Sequence, residues 1–145
     1  MAILDTKQLL TKTFDTTSGG LVTRESFFKE VATITTNQSI ALSGTYTPAR
    51  ISVFDYSEMV VQVKVAYNAH AIAGVTVRAF ASLDSTYYDT DAYGIFGPDL
   101  LAGSARTKTR KIDVRGLDSV ELQLTNNDST FAATVNLLKY AIVKG

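Results

Sequence analysis

From residue 37 onward the chain is a succession of short stretches in which apolar and polar residues alternate, and Glu58–Tyr67 shows the pattern most strictly. Val61, Val63 and Val65 fall on one face, with Gln62, Lys64 and Ala66 on the other. Successive side chains leave a pleated backbone on opposite sides, so period-two alternation marks a strand with one buried face. The branched Cβ of valine packs well on such a surface. A chain built mainly from such stretches must bury its apolar faces against another sheet.

The remaining stretches agree. Ser39–Leu42 and Arg50–Phe54 are short strand candidates around a Gly44–Pro48 turn region, where Gly44 tolerates an unusual φ and Pro48 cannot donate to a ladder. Val75–Leu83 places Val75, Val77, Ala79 and Ala81 on one face. Asp84-Ser85-Thr86 is a turn, and Tyr87 to Pro98 forms an aromatic, glycine-punctuated stretch. Thr107–Val114 is basic at its start and apolar at its end. After a turn at Gly116-Leu117-Asp118, Val120, Leu122 and Leu124 alternate with polar residues. Asn126-Asn127-Asp128-Ser129 is a strong turn signal before a last strand over Phe131–Val143. The apolar parity of that strand flips between Leu137 and Leu138, as a β-bulge or burial on both faces requires. Seven or eight short strands separated by turns predict an all-β fold, an antiparallel β-sandwich of jelly-roll type, over residues 37–145.

Residues 1–36 have a different character and are expected to form an N-terminal arm. Four basic and four acidic side chains balance there, and Thr16-Thr17-Ser18-Gly19-Gly20 is a flexible break. Glu25–Val31 is compatible with a helical turn or two. Yet Leu9, Leu10, Phe14, Phe27 and Phe28 are more apolar than a permanently disordered segment carries. They need a surface to pack on, either the arm's own domain or a neighbouring subunit.

Composition removes several functions. The 145 residues contain no cysteine, so disulfides and thiolate metal sites are out of reach. Fourteen basic side chains balance fourteen acidic ones, which gives no electrostatic reason to expect a nucleic-acid or membrane partner and does little to oppose self-association. Met1-Ala2-Ile3-Leu4 is too short for a signal-peptide core and is interrupted at once by Asp5, so synthesis in the cytoplasm is expected.

No catalytic, cofactor-binding or metal-ligating motif stands out, and no enzyme is expected. His70 is the single histidine, in a loop of small residues without a nucleophile motif, where a surface histidine is the plainer reading. Asp84, Asp89 and Asp91 could share a calcium ion, but their spacing is not that of a calcium loop and loop aspartates usually form turns. Tyr87, Tyr88, Tyr93 and Phe96 could form an exposed aromatic interface or a platform for a glycan or host surface, or two of the four could belong to the core. Arg106, Lys108 and Arg110 share a strand face, either guarding a sheet edge or meeting a neighbouring subunit. The acceptor patterns at Asn37-Gln38-Ser39 and Asn127-Asp128-Ser129 carry little weight without a secretion signal.

The runs Glu58-Met59-Val60-Val61-Gln62-Val63-Lys64-Val65-Ala66-Tyr67, Ala73-Gly74-Val75-Thr76-Val77-Arg78-Ala79-Phe80-Ala81-Ser82 and Asp84-Ser85-Thr86-Tyr87-Tyr88-Asp89-Thr90 together resemble small β-sandwich structural proteins of tailed bacteriophages. In size and plan the resemblance is to the jelly-roll head decoration, or cement, proteins. It covers residues 38–143 and rests on strand order and loop style. It implies a homotrimer on the capsid exterior, bound to the major capsid protein and to neighbouring subunits through its arm. Tail and baseplate sandwiches share the style.

Overall fold

The computed structural model describes residues 28–145, Phe28 by its backbone only, together with the backbone of residues 15–16 and 19–20. Two units are distinguished: residues 30–142, which hold the sandwich, and residues 1–29 with 143–145. In the second of these, Asp15–Thr16 and Gly19–Gly20 form a two-residue antiparallel ladder.

Nine strands build the sandwich: β1 (Phe28–Ile40), β2 (Thr45–Tyr46), β3 (Ile51–Ser52), β4 (Glu58–Tyr67), β5 (Val75–Ser82), β6 (Gly94–Phe96), β7 (Ala105–Asp113), β8 (Ser119–Asn126) and β9 (Ala133–Lys144). One sheet has the order β7-β4-β9-β1. The other has the order β2-β8-β5-β6, with β3 also paired to β8. Strands β2 and β3 lie along the same partner and act as one interrupted strand. Counted so, the first strand lies beside the eighth, the second beside the seventh, the third beside the sixth and the fourth beside the fifth. That nesting is what a long antiparallel ribbon gives when it is rolled up, and it is the jelly roll. No helix occurs among the described residues.

The two inner faces form the core. Met59, Val61, Val63 and Val65 of β4 are fully buried, as are Val77 and Ala79 of β5 and Val120, Leu122 and Leu124 of β8. Each buried valine or leucine contributes roughly 1.5–3 kcal/mol relative to exposure. Tyr67 closes the core at the end of β4. Its hydroxyl donates to the Pro98 carbonyl and accepts from the Val75 amide, both at 3.1 Å, and burial pushes its pKa up. Val75 and β6 approach so closely that a Cβ on Gly97 would lie 2.3 Å from the Val75 carbonyl oxygen, which explains why glycine stands there.

Three observations differ from the sequence expectations, and a fourth agrees with them. Strand β1 starts at Phe28 and runs across the boundary placed at 36/37, so residues 28–36 are extended and the helical turn expected over Glu25–Val31 does not form in its described part. Strand β6 emerges from the stretch read as irregular. The left-handed residue of the first turn is Ser43, at φ 54°, rather than Gly44; Gly44 instead meets the Ala41 carbonyl so closely that a Cβ would lie 2.9 Å from it. On β9 the buried set changes parity as expected: Ala133 and Val135 are buried, and burial resumes at Leu138. Asn37 of the neighbouring β1 has φ 52°, and its side chain accepts from Asn136 at 3.4 Å.

Candidate functional site

Connections at the two ends of the jelly roll are built differently. At one end, Asn126-Asn127-Asp128 fastens three loops together. The Asp128 side chain is buried, at 1% exposure, and accepts four backbone amides: Ile72 at 2.8 Å and Ala73 at 3.3 Å through Oδ2, Thr130 at 2.8 Å and Phe131 at 3.0 Å through Oδ1. These donors, that of Ile72 foremost, hold its pKa at about 2. The Asp128 carbonyl accepts from Ser43, and the Asn126 side-chain amide donates to the carbonyls of Ile40, Ala41 and Phe131. Asn127 reaches Gly74 and Thr76. His70 is an exposed residue of this end, its amide bound to Asn68 and its ring 6.1 Å from that of Phe131.

At the opposite end the long connection from β5 to β6 carries the predicted tyrosines, and the structure separates them. Tyr88 is an anchor: the Arg50 guanidinium lies 4.1 Å from its ring centroid and its hydroxyl is 2.6 Å from Ser119 Oγ. Tyr87 stands free at 80% exposure. Tyr93 is 47% exposed, with its hydroxyl donating to the Asp113 carbonyl at 2.8 Å. Asp84 Oδ1 accepts the amides of Thr86 and Tyr87 at 2.9 and 3.0 Å, and those N–H groups, Tyr87's first, lower its pKa. Ser85, at φ 63°, bonds Ser119 and Asp118. Between loop and sheet lies a groove of about 350 Å³ lined by Leu83, Asp84, Tyr87, Asp89, Tyr93 and Leu117, with Ala81 and Ser82 at its floor.

Of the three aspartates weighed as calcium ligands, Asp84 and Asp89 line the groove, and Asp91 is an exposed residue outside its lining. No convergence of three metal-ligating side chains occurs among the described residues.

The basic stripe lies on β7, the edge of its sheet. Arg106, Lys108 and Arg110 sit directly opposite Val65, Val63 and Val61, so they share the inner face, which is otherwise apolar. They stay accessible because the facing edge strand, β6, has three residues and covers little of β7. Arg110 reaches across to the Ile95 carbonyl at 3.2 Å. Charged side chains pointing inward on an edge strand oppose pairing with another chain.

Of the arm candidates, Leu9, Leu10, Phe14 and Phe27 lie outside the described residues; Phe28 is the first residue of β1. Sequence reasoning missed Leu83 and Leu117 as groove residues and took Asn126–Asp128 for a simple turn.

No protein-family profile matches the chain, and no curated protein matches it in sequence. Solved structures do match in fold. The VP2 subviral particle of infectious bursal disease virus superposes with a TM-score of 0.59 at 10% identity, over 81% of this chain and 32% of that one. The CBM22-1 xylan-binding domain of Paenibacillus barcinonensis Xyn10C gives 0.55 at 12% identity, over 85% and 89%. The enzymatically active domain of bacteriophage CBA120 tailspike protein 4 gives 0.52 at 7%, over 81% and 19%. The chain is therefore similar to a jelly roll found in viral structural proteins and in carbohydrate-binding domains, and it spans about a third of the viral capsid protein it matches.

Proposed function

We propose that this chain is a non-enzymatic structural protein of a virus particle, a head decoration protein that binds the outer capsid surface and neighbouring copies of itself as a trimer. The observation that carries the reading is a jelly roll fastened at one end by Asn126–Asp128 while the other presents Phe54, Leu83, Tyr87 and Tyr93 to solvent, each about half exposed or more. Exposed aromatic side chains on a pinned scaffold lose little conformational freedom when covered, and tyrosine is enriched where protein surfaces meet. The likeness to a capsid protein supports the same reading. The partner would be the major capsid protein, and many weak contacts across subunit joints would stabilise the particle by mass action.

A structural component of a tail or baseplate is the neighbouring reading, supported by the likeness to a phage tailspike domain. The arm decides between assembly and a free-standing module. Removal of residues 1–27, which leaves β1 intact, is expected to abolish trimer formation and particle binding together, measured by light scattering and co-sedimentation with heads. Unchanged binding and mass after that deletion would overturn the arm's role.

A further inference from the structure

We propose that the groove at the tyrosine end is a binding site for an uncharged saccharide. The backbone that presents Tyr87 is held in place. Its own amide is bound by Asp84, and the next residue, Tyr88, is clamped between Arg50 and Ser119. Tyr93, which lines the same groove, is fixed through its hydroxyl on Asp113. Two aromatic side chains are thereby presented at little entropic cost. Further back, the amides of Asp89 and Tyr93 bond the carbonyls of Ala81 and Ala79, which pins the loop to β5 and keeps the groove open.

The charged groups of the groove are both carboxylates, Asp84 and Asp89. Asp84 engages backbone and Ser82 through Oδ1, leaving Oδ2 without a partner among the described residues, and Asp89 has no side-chain partner there. A carboxylate only accepts hydrogen bonds, so the ligand must bring donors. No lysine or arginine lines the groove, so phosphates and acidic sugars are repelled. A basic side chain can also meet a carboxylate and stack on a tyrosine, as Arg50 does on Tyr88, and hexalysine is the control for it below; the ligand has to satisfy the carboxylates and cover the exposed faces of Tyr87 and Leu83. A pyranose meets both demands, with its C–H face on a tyrosine ring and its hydroxyls directed at the carboxylates. The volume is in the range of small-ligand sites.

The test is titration calorimetry of the full chain with cellohexaose, xylohexaose and mannohexaose, with hexagalacturonate and hexalysine as acidic and basic controls. At least one neutral sugar is expected to saturate with a Kd on the order of 1 mM or tighter. Tyr87→Ala should weaken it about tenfold or more, while Tyr87→Phe, which keeps the ring, retains it. Asp89→Asn should weaken it several-fold. Absence of saturable binding, binding of a charged control alone, or neutral-sugar binding indifferent to Tyr87→Ala would overturn the assignment. Light scattering on the same samples reads self-association separately, so failure of the sugar site and failure of the particle role are distinct results.

Discussion

The carboxylate of Asp128 accepts the amide of Ile72 at 2.8 Å, joining two loops 56 residues apart in the chain. This contact, with three further amides on the same carboxylate, fixes one end of the jelly roll.

Stability should therefore fall in acid. The folded-state pKa of Asp128 is depressed from 3.8 to about 2, so its contribution is complete above the unfolded value and is lost as pH falls from about 4 through 2. Asp128→Asn keeps the shape but turns an N–H group toward amides that need an acceptor. Its melting temperature should lie several degrees below that of the parent at pH 7, and the gap should close as pH approaches 2. A gap independent of pH would contradict the assignment.

Asn126 supplies the donor half of the same fastening. Asn126→Asp removes the amide hydrogens that three carbonyls accept, at nearly constant volume. A cost of at least roughly 1–3 kcal/mol is expected by chemical denaturation, the penalty for buried groups left unsatisfied. A stability equal to the parent's would show that water replaces the side chain.

Two glycines make a matched pair. Gly97→Ala would force a methyl group to within 2.3 Å of the Val75 carbonyl, whereas a Cβ on Gly94 has nothing nearer than Ile112 Cδ1 at 4.0 Å. The first should cost about 1–3 kcal/mol and the second stay within about 1 kcal/mol of the parent. Equal effects would contradict the close approach of β6 to the start of β5.

The sheet edge is a further test. Replacing Lys108 by valine removes an inward charge from β7 and continues the apolar face of Val61, Val63 and Val65 out to the edge. The folded protein should persist by circular dichroism but aggregate faster on mild heating, as static light scattering would record. Aggregation no faster than the parent's would show that the charge does not guard this edge.

How much was legible in the sequence follows from where each signal resides. Strand β4 was readable residue by residue because its alternation is local and one face is wholly buried. Strand β1 was read only at its end, Ser39–Ile40; the rest escaped because it is an edge strand, largely exposed and rich in threonine, so no face stands out as apolar. Strand β6 has three residues, too few to show a period. The basic stripe was readable as a shared face, but its inward orientation depends on pairing with β4, a non-local fact. Asn126–Asp128 announced a turn. Its burial and its partners at Ile40, Ile72 and Gly74 are created by the roll-up of the ribbon. The tyrosine end was visible as a cluster, yet only the fold separates Tyr88, an anchor, from Tyr87 and Tyr93 at the groove.

The most direct test of the proposed assembly role is the solution mass of the full chain by size exclusion with light scattering, beside the same chain lacking residues 1–27. The full chain is expected at three times its 15.7 kDa, and the shortened one at about the mass of a monomer. A full chain that stays monomeric to about 100 μM, well above the micromolar range of a modest interface, would contradict the trimer.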